Sequence, residues 1–282
     1  MIYALATISA LMFALATALQ HRSAQKADQS KAMRPALLFF LALDPMWLLG
    51  IGADIVGLFF QFAALVKGSV LVVQAILAIG LVFALFFSAV LHSIRLKASE
   101  LALSVMTTLA LIGFLSFGAP ARSIDSSAFS SWLILAVATA LLTFVLGVVA
   151  INSAPIRRTF VLGVAAGVLH GFTVSLSKVV SQNFVSMGLS RVATDPHTWL
   201  LVIMGAVDIL VIQSAFQAGP LRVSLPIISV TEPMVAFVIS IVVLHESLSA
   251  TLYGKVVAIL ALMVMLAGVW GLARITARES LA

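Results

Sequence analysis

Three acidic residues stand inside long apolar runs of this chain: Asp54, Asp208 and Glu232. A charged side chain at the centre of a bilayer costs about 2.5 to 3.5 kcal/mol on insertion scales, so such residues are functional candidates by default. Glu232 lies between Thr231 and a proline that frees one backbone carbonyl from its helical hydrogen bond. A carboxylate, a hydroxyl and a free carbonyl together suit a cation or a proton. The alternative role is structural, as hydrogen bonds between helices.

Neutral and basic polar residues extend these sites. Gln61 follows Asp54 by two helical turns and therefore shares its helix face. Lys178 either pairs with a substrate carboxylate or extends toward the membrane surface. A further set at helical spacing predicts a cavity-lining stripe: His170, Thr173, Ser177 and Ser181. The predicted residues for binding or coupling are Asp54, Gln61, His170, Ser177, Lys178, Asp208, Thr231 and Glu232, and the three acids are the candidate metal ligands.

Composition places these residues in a membrane. Of the 282 residues, 62% are hydrophobic and 9% are charged, and the mean hydropathy is +1.21. A soluble domain with a solvated surface does not have such values. The apolar runs are about 20 residues long, which suits helices crossing a bilayer rather than barrel strands of about ten residues. The sequence predicts an all-α integral membrane protein with nine spans: 1–19, 47–66, 69–92, 98–118, 131–151, 159–181, 199–218, 221–244 and 252–273.

An internal repeat organises the predicted spans. Landmarks recur at offsets of about 152 residues: Trp47 with Trp199, Gln61 with Gln213, Gly68 with Gly219, and His92 with His245. Corresponding spans are five apart, and an odd displacement reverses direction through the membrane. The sequence therefore predicts two inverted four-helix repeats, 1–118 and 159–282, with 119–158 as a linker helix. Inverted repeats are typical of secondary transporters, in which two halves rock about a midplane site. A duplication that only stabilises a bundle is the alternative.

The net charge of +6 is explained by membrane orientation rather than by nucleic acid, because the basic residues are scattered over loops. Most lie in odd-numbered connections and the C-terminal tail, for example Arg22, Lys97 and Arg157, and few lie in even-numbered connections. The positive-inside rule then predicts a multi-pass protein of the cell (inner) membrane with the N-terminus outside and the C-terminus in the cytoplasm.

Enzyme motifs are missing from the sequence. His245 and Glu246 are followed by Ser249, so an HExxH zinc motif fails, and there is no glycine-rich phosphate loop or GxSxG elbow. We expect neither catalysis nor a cofactor. Ala267 and Gly271 form a small-xxx-small pair that suits close helix packing or a homodimer.

The arrangement resembles the drug/metabolite transporter superfamily, and is EamA-like from Trp199 to Gly271. The likeness is carried by Pro226, by the turn Ala218-Gly219-Pro220, by the helix end Leu244-His245-Glu246, and by the final helix from Gly254 to Gly268.

Nine helices in four-helix repeats are most similar to the NIPA-like branch, whose described members are magnesium transporters with an acidic residue where Asp54 stands here. Departures are Ala75, where related sequences often have proline, and Ser93 in place of the counterpart of Glu246.

The resemblance and the repeat together imply a transporter of a small solute or cation that works by alternating access, with midplane carboxylates as cation or proton groups and membrane lipid as its surroundings. Three alternatives stay open, two kinds of transporter and one protein of another class. Magnesium transport would use the three acids, whereas proton-coupled export of a metabolite needs one titrating carboxylate and a cavity lined by aromatics such as Phe59, Phe60 and Phe172. A non-transporting scaffold or lipid-binding component would instead have its acids paired between helices.

Overall fold

The computed structural model describes residues 2–67, 73, 76–93, 96–118, 128–187, 193–243 and 252–279. These residues form helices and contain no strand, which confirms the predicted all-α class. A 3-10 turn, Gln29–Lys31, precedes the second helix. The helices are α1 Ile2–Ala24, α2 Pro35–Leu41, α3 Pro45–Lys67, α4 Gly80–His92, α5 Ala98–Gly118, α6 Phe129–Ile151, α7 Pro155–Met187, α8 Pro196–Ala218, α9 Leu221–Val242 and α10 Leu252–Glu279.

Five described helices are long and apolar enough to cross a membrane on their own. They are α1, α6, the Pro155–Ser177 part of α7, α8, and the Tyr253–Leu272 part of α10. Helices α2 and α3 form a pair bent by 89°, and count as a sixth candidate if they are one broken span. The protein is therefore a helical membrane protein. Each of the nine predicted runs overlaps a helix, but nine spans remain a prediction.

The main difference from the predicted layout is α2, which occupies part of a segment expected to be a connection. Pro35 begins it, and proline is favoured at the first helical position because its missing N–H has no partner there in any case. The α1–α2 connection is held on the end of α8, where Gln217 Nε2 donates to the carbonyl oxygens of Ala27 at 3.1 Å and Asp28 at 2.6 Å.

Helix packing follows one pattern in both halves of the chain. Helix α1 packs against α3 and α4, and α7 packs against α8 and α9. The last helices of the two predicted repeats, α5 and α10, pack against each other, and α6 packs on α7 through Trp132, whose ring meets Phe172 edge to face at 5.9 Å. The first helix of each predicted repeat therefore contacts the second and third of its own set.

Three glycines spaced four residues apart let α7 lie close to α9: Gly163, Gly167 and Gly171. A Cβ atom at Gly167 would lie 2.5 Å from Cβ of Thr231, and one at Gly171 would lie 2.6 Å from the carbonyl oxygen of Glu232. A side chain at either position would force the helices apart, since small residues set the closest approach of membrane helices. This contact brings Glu232 toward the residues of α7.

The beginning of α8 is fixed by its N-cap, Asp195. The carboxylate accepts hydrogen bonds from the backbone N–H of His197 at 3.1 Å and from Asn183 Nδ2 at 2.6 Å. Partial burial would raise the pKa of Asp195, but the hydrogen bonds from His197 and Asn183 outweigh it and hold that pKa below its usual value. The cap thus satisfies a donor at the free end of the helix that carries Asp208.

The contact between α5 and α10 involves the small-xxx-small face predicted for the last helix. A Cβ atom at Gly271 would lie 3.0 Å from the methyl carbons of Leu103 on α5, so this part of the face packs within the chain. One turn before Leu103 on α5, Glu100 is buried and forms an ion pair with Arg222 of α9. The homodimer stays a prediction. Within one chain, α5 already covers Gly271, one of the two small residues on which that prediction was based.

We expect Gly167→Ala to destabilise the protein, by roughly 1 to 3 kcal/mol, because the added methyl group overpacks the α7–α9 contact. Gly205→Ala on α8 is the matched control, since a Cβ there meets nothing within 4 Å. It should be neutral or stabilise by about 0.4 to 1 kcal/mol. Thermal melts of the two variants in detergent check this, and equal melting temperatures would contradict the close contact.

Candidate functional site

The central feature of the candidate site is His170 on α7, which lies between two carboxylates from two other helices. Its Nδ1 is 2.7 Å from Oδ2 of Asp208 on α8, and its Nε2 is 3.9 Å from Oε2 of Glu232 on α9. The first distance is a hydrogen bond, whereas the second is an ion-pair distance beyond hydrogen-bond range. The structure thus brings together three of the residues predicted from the sequence.

Thr173 completes the side of this cluster that faces α8. Its hydroxyl lies 3.0 Å from Oδ2 of Asp208 and is one turn from His170 on the same helix. The second oxygen of Asp208, Oδ1, is buried and has no hydrogen-bond partner among the described residues. Asp208 therefore has one oxygen committed to α7 and one acceptor left over.

The three charged side chains differ in how open they are. The side chain of Asp208 is 7% exposed, whereas those of His170 and Glu232 are 35% and 32% exposed. A buried carboxylate bonded to one imidazole nitrogen fixes the orientation of the ring and leaves the other nitrogen free to act. The geometry gives Asp208 a positioning role and leaves His170 and Glu232 as the accessible pair.

The charge of the cluster follows from its composition. Two ionised carboxylates and one imidazolium carry a net charge of −1, and with a neutral imidazole the charge is −2. Unbalanced charge in an apolar bundle is costly, so the cluster favours binding a proton or a cation. Which imidazole nitrogen carries a proton is assigned from its neighbours, and Nδ1–H donating to Asp208 fits the 2.7 Å contact.

Two other residues predicted for binding, Ser177 and Thr231, do not join the cluster. The exposed Ser177 hydroxyl donates to the carbonyl of Val174 on its own helix at 2.7 Å. Thr231 packs on Gly167. The side chains of Lys178 and Ser181 lie outside the described residues, so their predicted roles stay predictions.

The aromatic side chains predicted to line a cavity are arranged differently. Phe172 is fully buried in the core against Trp132, and Phe59 is 69% exposed on the outside of α3. Phe60 is half-buried, and its ring meets that of Phe59 at 5.7 Å. The three phenylalanines therefore do not form one cavity wall.

Asp54 belongs to a second polar cluster, which joins α3 and α1 to α8. Its Oδ2 accepts a hydrogen bond from Gln20 Nε2 of α1 at 2.6 Å, and Gln20 Oε1 accepts one from Gln213 Nε2 of α8 at 2.8 Å. The chain Asp54–Gln20–Gln213 thus joins three helices. Gln61 is half-buried on α3, two turns beyond Asp54.

Gln20 and the glycines of α7 are not among the residues predicted from the sequence. Gln20 is a polar residue at the end of an apolar run, and its spacing matched no motif. The repeated four-residue spacing of Gly163, Gly167 and Gly171 was a readable signal for close packing.

The three acids proposed as metal ligands are not assembled as one site. Asp208 and Glu232 flank His170, whereas Asp54 pairs with Gln20. Within the described ranges, no group of three or more histidine, aspartate or glutamate side chains is arranged to hold a metal ion. A metal site built from all three carboxylates does not fit this arrangement.

The fold and the site define a helical membrane protein with a cluster of ionisable side chains between three of its helices. The chain is 28% identical to an uncharacterized protein of Corynebacterium glutamicum over 272 residues, which covers 95% of this chain and 93% of that protein. No protein-family model matches the chain, and no solved structure matches it. The similarity extends along nearly the full length of both chains.

We expect Gln20→Leu to destabilise the protein, because it leaves Asp54 Oδ2 and Gln213 Nε2 without their hydrogen bonds. An unsatisfied buried polar group costs about 1 to 3 kcal/mol. Gln61→Leu on the half-buried face of α3 is the control, and surface-like changes of this kind stay within about 0.5 kcal/mol. Thermal melts compare the two variants, and a Gln20→Leu protein as stable as the control would show that the polar chain contributes nothing.

Proposed function

We propose that this protein is a secondary transporter of the cell membrane that moves a small solute or cation by alternating access, with proton or cation coupling at His170, Asp208 and Glu232. In this proposal the nine helices α1 and α3–α10 cross the membrane, and α1 with α3–α5 and α7–α10 are the two inverted repeats. The drug/metabolite transporter resemblance belongs to the same proposal. It extends to substrate only at the level of a small solute or cation.

The observation that carries the proposal is the position of His170. One imidazole faces two carboxylates, and the three side chains come from three different helices. A structural pair needs one partner of each sign, so the second carboxylate is in excess. Excess charge inside an apolar bundle marks an ion or proton pathway more often than a stabilising contact.

The cluster offers a direct way to connect proton binding to helix movement. A neutral imidazole has one N–H and can donate to one carboxylate, whereas an imidazolium donates on both sides. Gain of a proton therefore draws Glu232 on α9 toward α7, and loss of the proton releases it. A substrate cation at Glu232 competes with that proton, which is the exchange that coupled transport requires.

The second polar cluster supports a mechanism that involves both repeats. Gln213 of α8 bonds to Gln20 of α1, and Asp208 lies five residues earlier on α8. Helix α8 therefore touches the first repeat through an amide and the His170 cluster through a carboxylate. A shift of α8 changes both contacts together, as rocking of one half against the other demands.

The same contacts bear on the two alternatives, a scaffold and a magnesium transporter. Acids paired between helices are the sign of a scaffold, and Asp54 fits that description through its bond to Gln20. Asp208 fits it in part, but Glu232 has no hydrogen bond to His170. Magnesium transport through three converging acids is less favoured, because Asp54 is apart from the other two.

We expect Glu232→Gln and His170→Gln each to lower the rate of coupled transport tenfold or more, because each change removes a group that exchanges the proton. The assay uses proteoliposomes with an entrapped pH dye and external guanidinium, tetramethylammonium or neutral amino acids. Asp208→Asn keeps the shape of the positioning residue and should lower transport less. Asp28→Asn, at an exposed carboxylate outside the helices, is the matched control.

Protein quality separates function from folding in this test. Loss of transport with an unchanged elution profile and melting temperature supports a coupling role for Glu232. If Glu232→Gln prevents folding, its charge is structural and the scaffold alternative gains. Full transport by Glu232→Gln proteoliposomes would refute coupling at this residue.

We also expect Mg2+ to give no saturable stabilisation of the detergent-purified protein above a monovalent-salt control, because Asp54 does not meet Asp208 and Glu232. Thermal shift and isothermal calorimetry measure this. A saturable effect that disappears in Asp54→Asn would overturn this expectation and favour the magnesium alternative.

A further inference from the structure

A cavity of about 870 Å3 lies between α5, α6, α7, α9 and α10, and His170 is not among its lining residues. Its wall is almost wholly apolar, with Phe114, Leu135 and Met234 among the lining side chains. The polar lining residues are Thr139, Thr231 and Lys255. Cavities of about 300 to 1,000 Å3 with apolar walls and a few polar groups are typical ligand sites.

The cavity opens sideways, toward the hydrocarbon of the membrane. Its lining includes Leu142 of α6, Val238 of α9 and Ile259 of α10, which are 47%, 57% and 59% exposed. Large exposed aliphatic side chains in membrane helices face lipid. An occupant therefore enters from the bilayer and presents hydrocarbon to the wall.

Lys255 determines the charge of the occupant. It lies in the first turn of α10 and is exposed, and no acidic side chain is among the described residues that line the cavity. A lysine near the end of a membrane helix lies at headgroup level, where a basic side chain attracts an anionic lipid. The apolar wall and the single cation together match an acyl chain joined to a negative headgroup.

We propose that this cavity binds one anionic phospholipid, with an acyl chain between α6, α9 and α10 and its phosphate at Lys255. Lipid binding at this cavity does not require the proposed transport function. It adjoins that function on α9, where Thr231 lines the cavity and the next residue, Glu232, faces His170. A bound acyl chain would lie beside the α7–α9 contact, because Thr231 and Val235 take part in that contact and also line the cavity.

The test is native mass spectrometry of the detergent-purified protein, titrated with phosphatidylglycerol or with phosphatidylcholine of the same acyl chains. Ala138→Phe fills the cavity from its exposed edge on α6. Ala140→Phe places the same ring on an exposed position of the same helix that does not line the cavity. Lys255→Gln removes the cation, and Arg157→Gln, at the exposed start of α7, removes one charge elsewhere.

We expect the wild type to retain one phosphatidylglycerol in preference to phosphatidylcholine, and Ala138→Phe to lose it while Ala140→Phe keeps it. Lys255→Gln should lower the preference for the anionic lipid about fivefold, the effect of one lysine near a lipid surface, with Arg157→Gln unchanged. Val238→Phe repeats the filling test from α9 if Ala138→Phe fails to fold.

Two results would overturn the proposal. Equal retention by the wild type and the filled variants would mean that the lipid is general annular lipid outside the cavity. Equal retention of both lipids by the wild type, unaffected by Lys255→Gln, would mean that the cavity does not select a negative headgroup.

Discussion

The close contact between α7 and α9 is the constraint on which the candidate site depends. Helix α7 has no side chain at Gly163, Gly167 and Gly171, so residues of α9 such as Thr231 and Val235 lie directly against its backbone. That approach brings Glu232 to 3.9 Å from His170. A wider separation would leave Glu232 alone in an apolar bundle, at the cost of an unpaired charge. The glycine contact between α7 and α9 therefore also sets the distance between Glu232 and His170.

Helix α8 connects the two polar clusters. Asp208 bonds to His170 through its carboxylate, and Gln213 bonds to Gln20 of α1, which in turn bonds to Asp54 of α3. Each bond crosses between helices, because a polar side chain inside an apolar bundle has no water to satisfy it. In the proposed transporter these bonds transmit movement between the halves. In a scaffold the same bonds would hold the helices in one position.

Local patterns predicted much of the architecture. Runs of about twenty apolar residues predicted helices, and each run overlaps one, because hydrophobic length and helical rise are properties of the segment itself. Asp208, Glu232 and His170 were each predicted from their own surroundings. The metal set of three acids joined Asp54 to them, and the structure separates it. Which helices meet depends on side-chain packing between distant segments, and that information is not periodic.

The sequence by itself determined the helical membrane class, the lengths of the apolar segments and the unusual placement of acids within them. The tertiary structure alone decided that Asp208 orients His170, that Glu232 is left the freer carboxylate, that Asp54 is tied to Gln20, and that an apolar cavity ends at Lys255. The physical reason is the distance along the chain over which each effect acts. Hydropathy and helix formation act over a few neighbouring residues, whereas the pairing of a buried charge depends on which side chains other helices bring within 4 Å.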